Sequence, residues 1–243
     1  MFNNRTEMRS KISAVKAFNR TTGLLQSLLA KGHRAAEGEL VLFAQLGNSG
    51  AYTFQVNENQ NKLVSEIRLR QGDAFIPTHI GLYLTKTADA TDAELSAAKK
   101  HTYPNTIVFS GSNEAKNLEA IYNSRLQVQV NSVNLTETLY TQRFKRVGTA
   151  QQGLNASTGS SVTPAASVYQ ASEWSNDMYG MCTMSQSIAF NGVQNNVINL
   201  ILPASVAAGG TSSNNYAIIV FKGVQVINGS NAVSDASISA FKR

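Results

Sequence analysis

The chain has 243 residues, of which 42% are apolar and only 15% charged, with a net charge of +6 and a single cysteine. This length supports one large all-β domain or two smaller ones, and a lone cysteine excludes an internal disulfide, so folding is expected in a reducing compartment or without reliance on oxidation. No stretch reaches the roughly eighteen apolar residues of a membrane helix, and the N-terminus lacks the apolar core of a signal peptide.

The positive charge is concentrated at the N-terminus. Residues 1–34, here called the arm, carry seven basic side chains and one acidic one, whereas the other 209 residues carry fourteen of each. This asymmetry predicts an anionic partner for the arm, either nucleic acid or anionic lipid. The competing interpretation is an ordinary amphipathic helix that docks on its own body. The predicted contact residues are Arg5, Arg9, Lys11, Lys16 and Arg20.

Apolar residues in the arm recur at steps of three and four, which predicts a helix from Thr6 to Ala30 that Gly32 terminates. After residue 38 the period changes to two, the period of half-buried strands. Strands are predicted at 39–46, 52–56, 63–70, 80–86, 106–110, 126–130, 133–144, 185–190, 197–202, 216–222 and 224–227. Pro77 suits an entry or edge position of its strand.

Two short helices interrupt the strands. One follows a capping box from Thr91 to Glu94, and the other spans residues 112–122. Residues 151–166 are rich in Gly, Ser, Thr and Gln and are predicted to be a linker or a long loop. Asn191-Gly192 is the strongest hairpin signal. Many short strands with few helices predict an all-β sandwich, divided into the arm (1–34), a first sandwich (35–150), and a linker with a second, smaller sandwich (151–243).

Groups that could support catalysis do not converge in the sequence. The three histidines, at 33, 79 and 101, lack the spacing of metal ligands. Glu66 and Asp73 are more simply explained as solvated or salt-bridged carboxylates, and Cys182 as part of a Met-rich packing patch. We therefore predict no enzymatic activity and no catalytic, cofactor-binding or metal-binding residue.

A basic cluster follows the predicted strands of the first half. Arg143, Lys145 and Arg146 lie near Tyr140 and Phe144, a combination that could pair phosphate contacts with base stacking. A charged cluster on an edge strand, which blocks aggregation, is the favoured interpretation.

Three stretches carry a family resemblance: IRLRQGDAFIPTHIGLYL at 67–84, NLEAIYNSRLQVQVN at 117–131 and YAIIVFKGVQV at 216–226. Together with the basic N-terminal helix, they resemble the small major capsid proteins of tailless icosahedral bacteriophages of the double-jelly-roll class. The resemblance implies a jelly-roll sandwich, double rather than single, behind an N-terminal amphipathic helix and with one or two short inserted helices.

The same resemblance implies a structural virion protein that is made in the host cytoplasm. It would self-assemble into homotrimeric capsomers of an icosahedral capsid, contact other virion proteins, and turn the arm toward the genome or an internal membrane. The low charge suits a surface pressed against copies of itself. The alternative is a carbohydrate- or receptor-binding β-sandwich, for which Trp174, Tyr169 and Tyr179 are the candidate aromatic platform.

Overall fold

A computed structural model describes residues 22–23, 25–26, 28–59, 63, 65–88, 91–106, 108–111, 113–135, 139–147, 179–184, 188–210 and 214–230. The described chain is mostly strand. The strands are β1 (Arg34–Gln45), β2 (Asn48–Gln55), β3 (Ala74–Thr87), β4 (Arg125–Val130), β5 (Val133–Asn134), β6 (Leu139–Tyr140), β7 (Met181–Thr183), β8 (Phe190–Asn191), β9 (Asn196–Ala207) and β10 (Asn214–Ile227). After the helical residues at 22–23, 25–26 and 28–30, the helices are α1 (Asp92–Ala97), α2 (Glu114–Tyr122) and a 3-10 helix (Thr141–Phe144).

These strands form two antiparallel sheets. Sheet A has the order β1-β10-β3-β7, with β8 also paired to β3, and sheet B has the order β2-β9-β4-β5, with β6 also paired to β4. The two sheets pack face to face because alternate side chains of each are apolar and point inward. The prediction of an all-β sandwich is confirmed at this level.

A single apolar cluster fills the space between the sheets. Sheet A contributes residues such as Leu42 and Leu82, and sheet B contributes Phe54, Val128 and Leu200, all fully buried. Each such side chain stabilises the fold by about 1.5–3 kcal/mol relative to an exposed one. The core therefore depends on both sheets at once.

The outer face of sheet A is covered near its two ends. At one end Leu95 of α1 packs over Val41, Phe43, Tyr83 and Val220 in a second apolar cluster. At the other end Leu28 of the arm is buried against a third cluster. That third cluster contains Ala74, Ile76, Ala189 and Val226.

The predicted boundary at residue 150 does not separate two sandwiches among the described strands. β9 lies between β2 and β4, and β10 lies between β1 and β3, so strands from 181–227 complete both sheets begun by 34–140. The prediction was wrong because local periodicity gives strand positions and carries no information about pairing across more than a hundred residues.

Several local predictions are confirmed. Thr91 caps α1, its Oγ1 accepting the Glu94 N–H at 3.4 Å, and the buried Leu118 lies on the core face of α2. Residues 28–30 are helical, and Gly32, at φ +83°, follows them in the left-handed conformation expected of a helix terminator.

Two predicted strands are wrong, and two others are strand only in part: within 133–144 the segment Thr141–Phe144 is a 3-10 helix, and within 185–190 residues 188–189 are not strand. Within 106–110 the described residues are not strand, and 63–70 contributes only isolated bridges at Ile67 and Leu69. In the second case Glu66 turns inward, and its carboxylate accepts the N–H groups of Phe43 and Leu63 at 3.0 and 2.9 Å. The Glu66 side chain thus satisfies backbone N–H groups that a neighbouring strand would otherwise pair.

The Asn191-Gly192 turn is present, but it carries the chain from β8 in sheet A to β9 in sheet B instead of closing a hairpin. Asn57 secures the turn: its Nδ2 donates to the Gly192 carbonyl at 2.8 Å, and its Oδ1 accepts from the Asn196 side chain at 2.8 Å. The Gly192 N–H donates to the Asp73 carbonyl at 2.9 Å.

We predict that Gly192→Ala destabilises the protein by about 2–3 kcal/mol, the cost of overpacking a tight site. A Cβ at this position would lie 2.0 Å from the Arg70 carbonyl oxygen. Gly47→Ala is the matched control, since its Cβ meets nothing within 4 Å, and should change stability by less than about 0.5 kcal/mol. Urea denaturation measures both, and equal losses would contradict the close-approach argument.

Candidate functional site

A groove of about 590 Å³ crosses the outer face of sheet A between its two covered ends. It is bordered by β1, β3 and β10. Its lining residues are Glu37, Gly38, Glu39, Thr78, His79, Lys222, Gly223 and Val224.

A β-bulge shapes the floor of this groove. Lys222 pairs with His79 but Gly223 pairs with Pro77, so Thr78 is the extra residue of β3. A Cβ on Gly223 would lie 2.1 Å from the Ile76 carbonyl oxygen, so only glycine permits this approach. Pro77 was predicted at an edge or entry position; it lies inside β3, where the adjacent bulge accommodates it.

The bulge orients the imidazole of His79. The Thr78 hydroxyl donates to the Lys222 carbonyl at 3.1 Å and lies 3.0 Å from Nδ1 of His79. Because the Thr78 hydroxyl proton is donated to the Lys222 carbonyl, the hydroxyl oxygen can only accept from the imidazole. This geometry favours a proton on Nδ1, which leaves Nε2 as the acceptor of the neutral ring. Partial burial lowers the pKa of His79, and the nearby Lys222 charge lowers it further.

The groove carries charges of both signs. Glu39, Lys222 and His79 occupy directly paired positions on three neighbouring strands, and Glu37 precedes them on β1. Burial lowers the pKa of Lys100, an effect that the Glu39 carboxylate partly offsets. In the part of the chain that the structure describes, no three His, Cys, Asp or Glu side chains are grouped as a metal site. The groove is therefore suited to polar contacts with another molecule.

The edge of β1 beside the groove is only half covered. Val41 exchanges backbone hydrogen bonds with Ile67 at 2.9 and 3.0 Å, and Glu66 accepts from Phe43. Since backbone groups alternate along a strand, those of Glu37 and Glu39 point to this same edge, where no strand of the described chain pairs with them. Charged residues at an open edge discourage nonspecific pairing.

The opposite sheet has an apolar edge. β5 and β6 contain two residues each, and they carry Val133 and Tyr140, which are 60% and 66% exposed. Large apolar side chains at an exposed edge are typical of protein–protein contacts. This edge, defined by Val133 and Tyr140, is the candidate association surface.

The predicted anionic-contact residues Arg5, Arg9, Lys11, Lys16 and Arg20 lie outside the described residues, as does the predicted loop 151–166. Of the predicted aromatic platform, Trp174 and Tyr169 also lie outside. Tyr179 is described, and its carbonyl accepts the Tyr83 hydroxyl at 2.6 Å.

The basic cluster after β6 is engaged within the chain. Lys145 forms an ion pair with Glu119, and the Arg146 guanidinium donates to the Arg143 carbonyl at 2.8 Å. Phe144 is fully buried and cannot stack on a base. These contacts favour a structural role for the cluster over nucleic-acid binding.

The other residues weighed as reactive groups also have structural partners. Asp73 accepts the Gln225 side chain at 2.6 Å and the Asn228 N–H at 2.9 Å. The His101 ring packs edge to face against Phe109, with ring centroids 5.8 Å apart. The Sγ of Cys182 contacts the Arg143 carbonyl at 3.4 Å.

No protein-family model matches the chain, and no curated protein matches its sequence. Within the described ranges, no helix combines the length and the apolar character needed to cross a membrane.

We predict that His79→Gln makes stability less sensitive to pH between about 7 and 5. Because the folded pKa of His79 is lowered, its neutral form favours the fold; that contribution is complete above the unfolded pKa, 6.5, and is lost as pH falls through the folded pKa. Urea midpoints across this range measure the effect. Parallel pH profiles for the wild type and the variant would contradict it.

Proposed function

We propose that this chain is a viral major capsid subunit that self-assembles into trimeric capsomers of an icosahedral shell, and that its sandwich is one jelly roll. The observation that carries the proposal is the wrap-around pairing of the strands. β5 and β6 both pair with β4, and β7 and β8 both pair with β3, so each of these two pairs can be counted as one interrupted strand. On this count, the ten described strands occupy eight strand positions.

The first position then pairs with the last (β1 with β10), the second with the seventh (β2 with β9), the third with the sixth, and the fourth with the fifth. A long antiparallel hairpin wound around a core produces this order, and eight strands in two sheets are typical of jelly rolls, which are common in viral capsids and lectins. Ten strands that share two sheets support a single roll instead of the predicted double one.

The interior and the surface both favour assembly over ligand binding inside the roll. The space between the sheets holds a continuous apolar cluster. The association surface at Val133 and Tyr140 exposes apolar side chains, and only 15% of the chain is charged, so few charges need partners when subunits pack. Obligate interfaces of this kind bury about 2,000 Å² or more.

In this proposal the arm faces the packaged genome or an internal membrane. The rest of the chain contacts copies of itself and other virion proteins, and the protein is located in the virion. The charge excess of the arm over a neutral body supports this orientation.

The purified full chain is expected to form trimers or closed shells at micromolar concentration, measured by sedimentation and negative-stain electron microscopy. The double variant Val133→Asp with Tyr140→Asp should weaken association at least tenfold, about 1.4 kcal/mol, because it places charge in an apolar contact. Val193→Asp is the matched control, since Val193 is equally exposed in a turn. A wild-type chain that stays monomeric would contradict the proposal.

For the arm, binding of the full chain to single-stranded DNA or anionic vesicles should fall with salt. If about six charges contact phosphate, the log–log slope should be about −4 to −5. Replacing Arg5, Arg9, Lys11, Lys16 and Arg20 with Gln should reduce the slope on single-stranded DNA by about 3.5. Absence of binding to both ligands at low salt would remove an anionic partner for the arm.

A further inference from the structure

A second polar cluster, separate from the groove, lies where α2 closes one end of the sandwich. Lys86 of β3 and Asn215 of β10 are directly opposite each other in the ladder. Directly opposite residues in an antiparallel pair point to the same face, with Cβ atoms about 4.5–5.5 Å apart. Glu114, the first residue of α2, lies against both side chains.

The Glu114 carboxylate bridges the amine and the amide. Its Oε2 accepts from Nζ of Lys86 at 2.9 Å, and its Oε1 accepts from Nδ2 of Asn215 at 2.7 Å. Nδ2 also donates to the Ala208 carbonyl at 2.9 Å, which fixes the orientation of the amide. The Lys86 amine and the Asn215 amide nitrogen therefore each contact a different oxygen of the Glu114 carboxylate.

The cluster is enclosed and tightly built. Glu114 and Asn215 are 3% and 0% exposed, and the Lys86 side chain is 21% exposed. The Gly111 N–H donates to Oε2 of Glu114 at 2.9 Å, and a Cβ on Gly111 would lie 2.6 Å from that oxygen. The Oδ1 of Asn215 is buried and has no hydrogen-bond partner within the described structure. A buried polar atom without a partner is rare in folded proteins and calls for an explanation.

These three groups are the components of an amide-forming reaction: an amine nucleophile, an amide carbon and a carboxylate that can move protons between them. We propose that Lys86 and Asn215 form an intramolecular isopeptide bond, with Glu114 as the catalytic proton-transfer residue. The bond ties β3 covalently to β10, the two central strands of sheet A.

The atoms balance without any further reactant. Glu114 takes a proton from the Lys86 ammonium, and the neutral Nζ attacks Cγ of Asn215. The orphaned Oδ1 carries the charge of the tetrahedral intermediate. Glu114 then delivers its proton to Nδ2, the Cγ–Nδ2 bond breaks, and the nitrogen leaves as ammonia, which takes up the second proton released from Nζ. The products are the isopeptide, one ammonium ion and a regenerated Glu114 carboxylate.

The charge state of Glu114 fits the role of initial base. Burial alone would raise its pKa, but the hydrogen bonds from Lys86, Asn215 and Gly111 outweigh burial and lower the pKa. Glu114 is therefore a carboxylate at neutral pH, able to accept the proton. The neutral amine is the minor form of Lys86 in this ion pair, so the reaction is slow. A slow reaction is sufficient because the bond forms only once in each molecule.

Intact-mass spectrometry of the purified full chain tests the bond. After incubation at pH 8 to favour the neutral amine, the chain should be lighter than its sequence mass by one ammonia, about 17 Da. Because an acylated Lys86 resists trypsin, digestion should give one branched peptide that joins residues 71–99 to residues 147–222. Fragmentation should locate the junction at Lys86 and Asn215.

Lys86→Arg keeps the ion pair with Glu114 but removes the amine nucleophile, and Glu114→Gln removes the base; both should abolish the branched peptide and the mass loss. Lys145→Arg, which alters the ion pair to Glu119, should leave both unchanged. A wild-type mass equal to the sequence mass would overturn the proposal. A mass loss that persists in Lys86→Arg would also overturn it, because cyclisation of an Asn-Gly site releases the same ammonia.

Discussion

The pairing of β10 with both β1 and β3 is the constraint on which the rest of the structure depends. These ladders are the longest in the described part of the chain, and they join a strand near the C-terminal end to strands that begin at Arg34 and Ala74. With β10 in the centre of sheet A, the connection from β9 crosses from sheet B to sheet A, and β9 itself fills the gap between β2 and β4. The two sheets thus close around one core through the last third of the chain.

Each of the three buried acidic side chains in the described part of the chain accepts at least one backbone N–H. Glu66 receives two N–H groups where the chain leaves sheet geometry, Asp73 receives the Asn228 N–H after β10, and Glu114 receives the Gly111 N–H before α2. A hydrogen bond from an N–H donor to a carboxylate is stronger than one between neutral groups. Each of these carboxylate contacts therefore fixes an irregular segment that has no partner strand.

The distribution of covered and open surface is one support for the proposal that the chain is a subunit that assembles. Sheet A is covered near both ends of its outer face and keeps a polar groove between them, while the short outer strands of sheet B expose apolar side chains. A specific interface has an apolar core within a polar rim, and the apolar edge of sheet B has the composition of such a core. The covalent link proposed between β3 and β10 would strengthen sheet A without altering either surface.

The sequence by itself determined the class of the fold, the two short helices and most strand positions, because these follow from the local period of apolar residues and from caps such as Thr91. It also located the charge excess in the arm. Only the tertiary structure decided that the described strands form one sandwich, that Asn191-Gly192 links two sheets, and that 63–70 is not a strand.

The groove and the Lys86, Glu114 and Asn215 cluster were equally invisible in the sequence. Each brings together residues more than a hundred positions apart, on strands whose partners are chosen by the shared core and not by neighbouring residues. Local physics fixes which residues can form a strand, whereas the pairing that creates a site is a property of the whole folded chain.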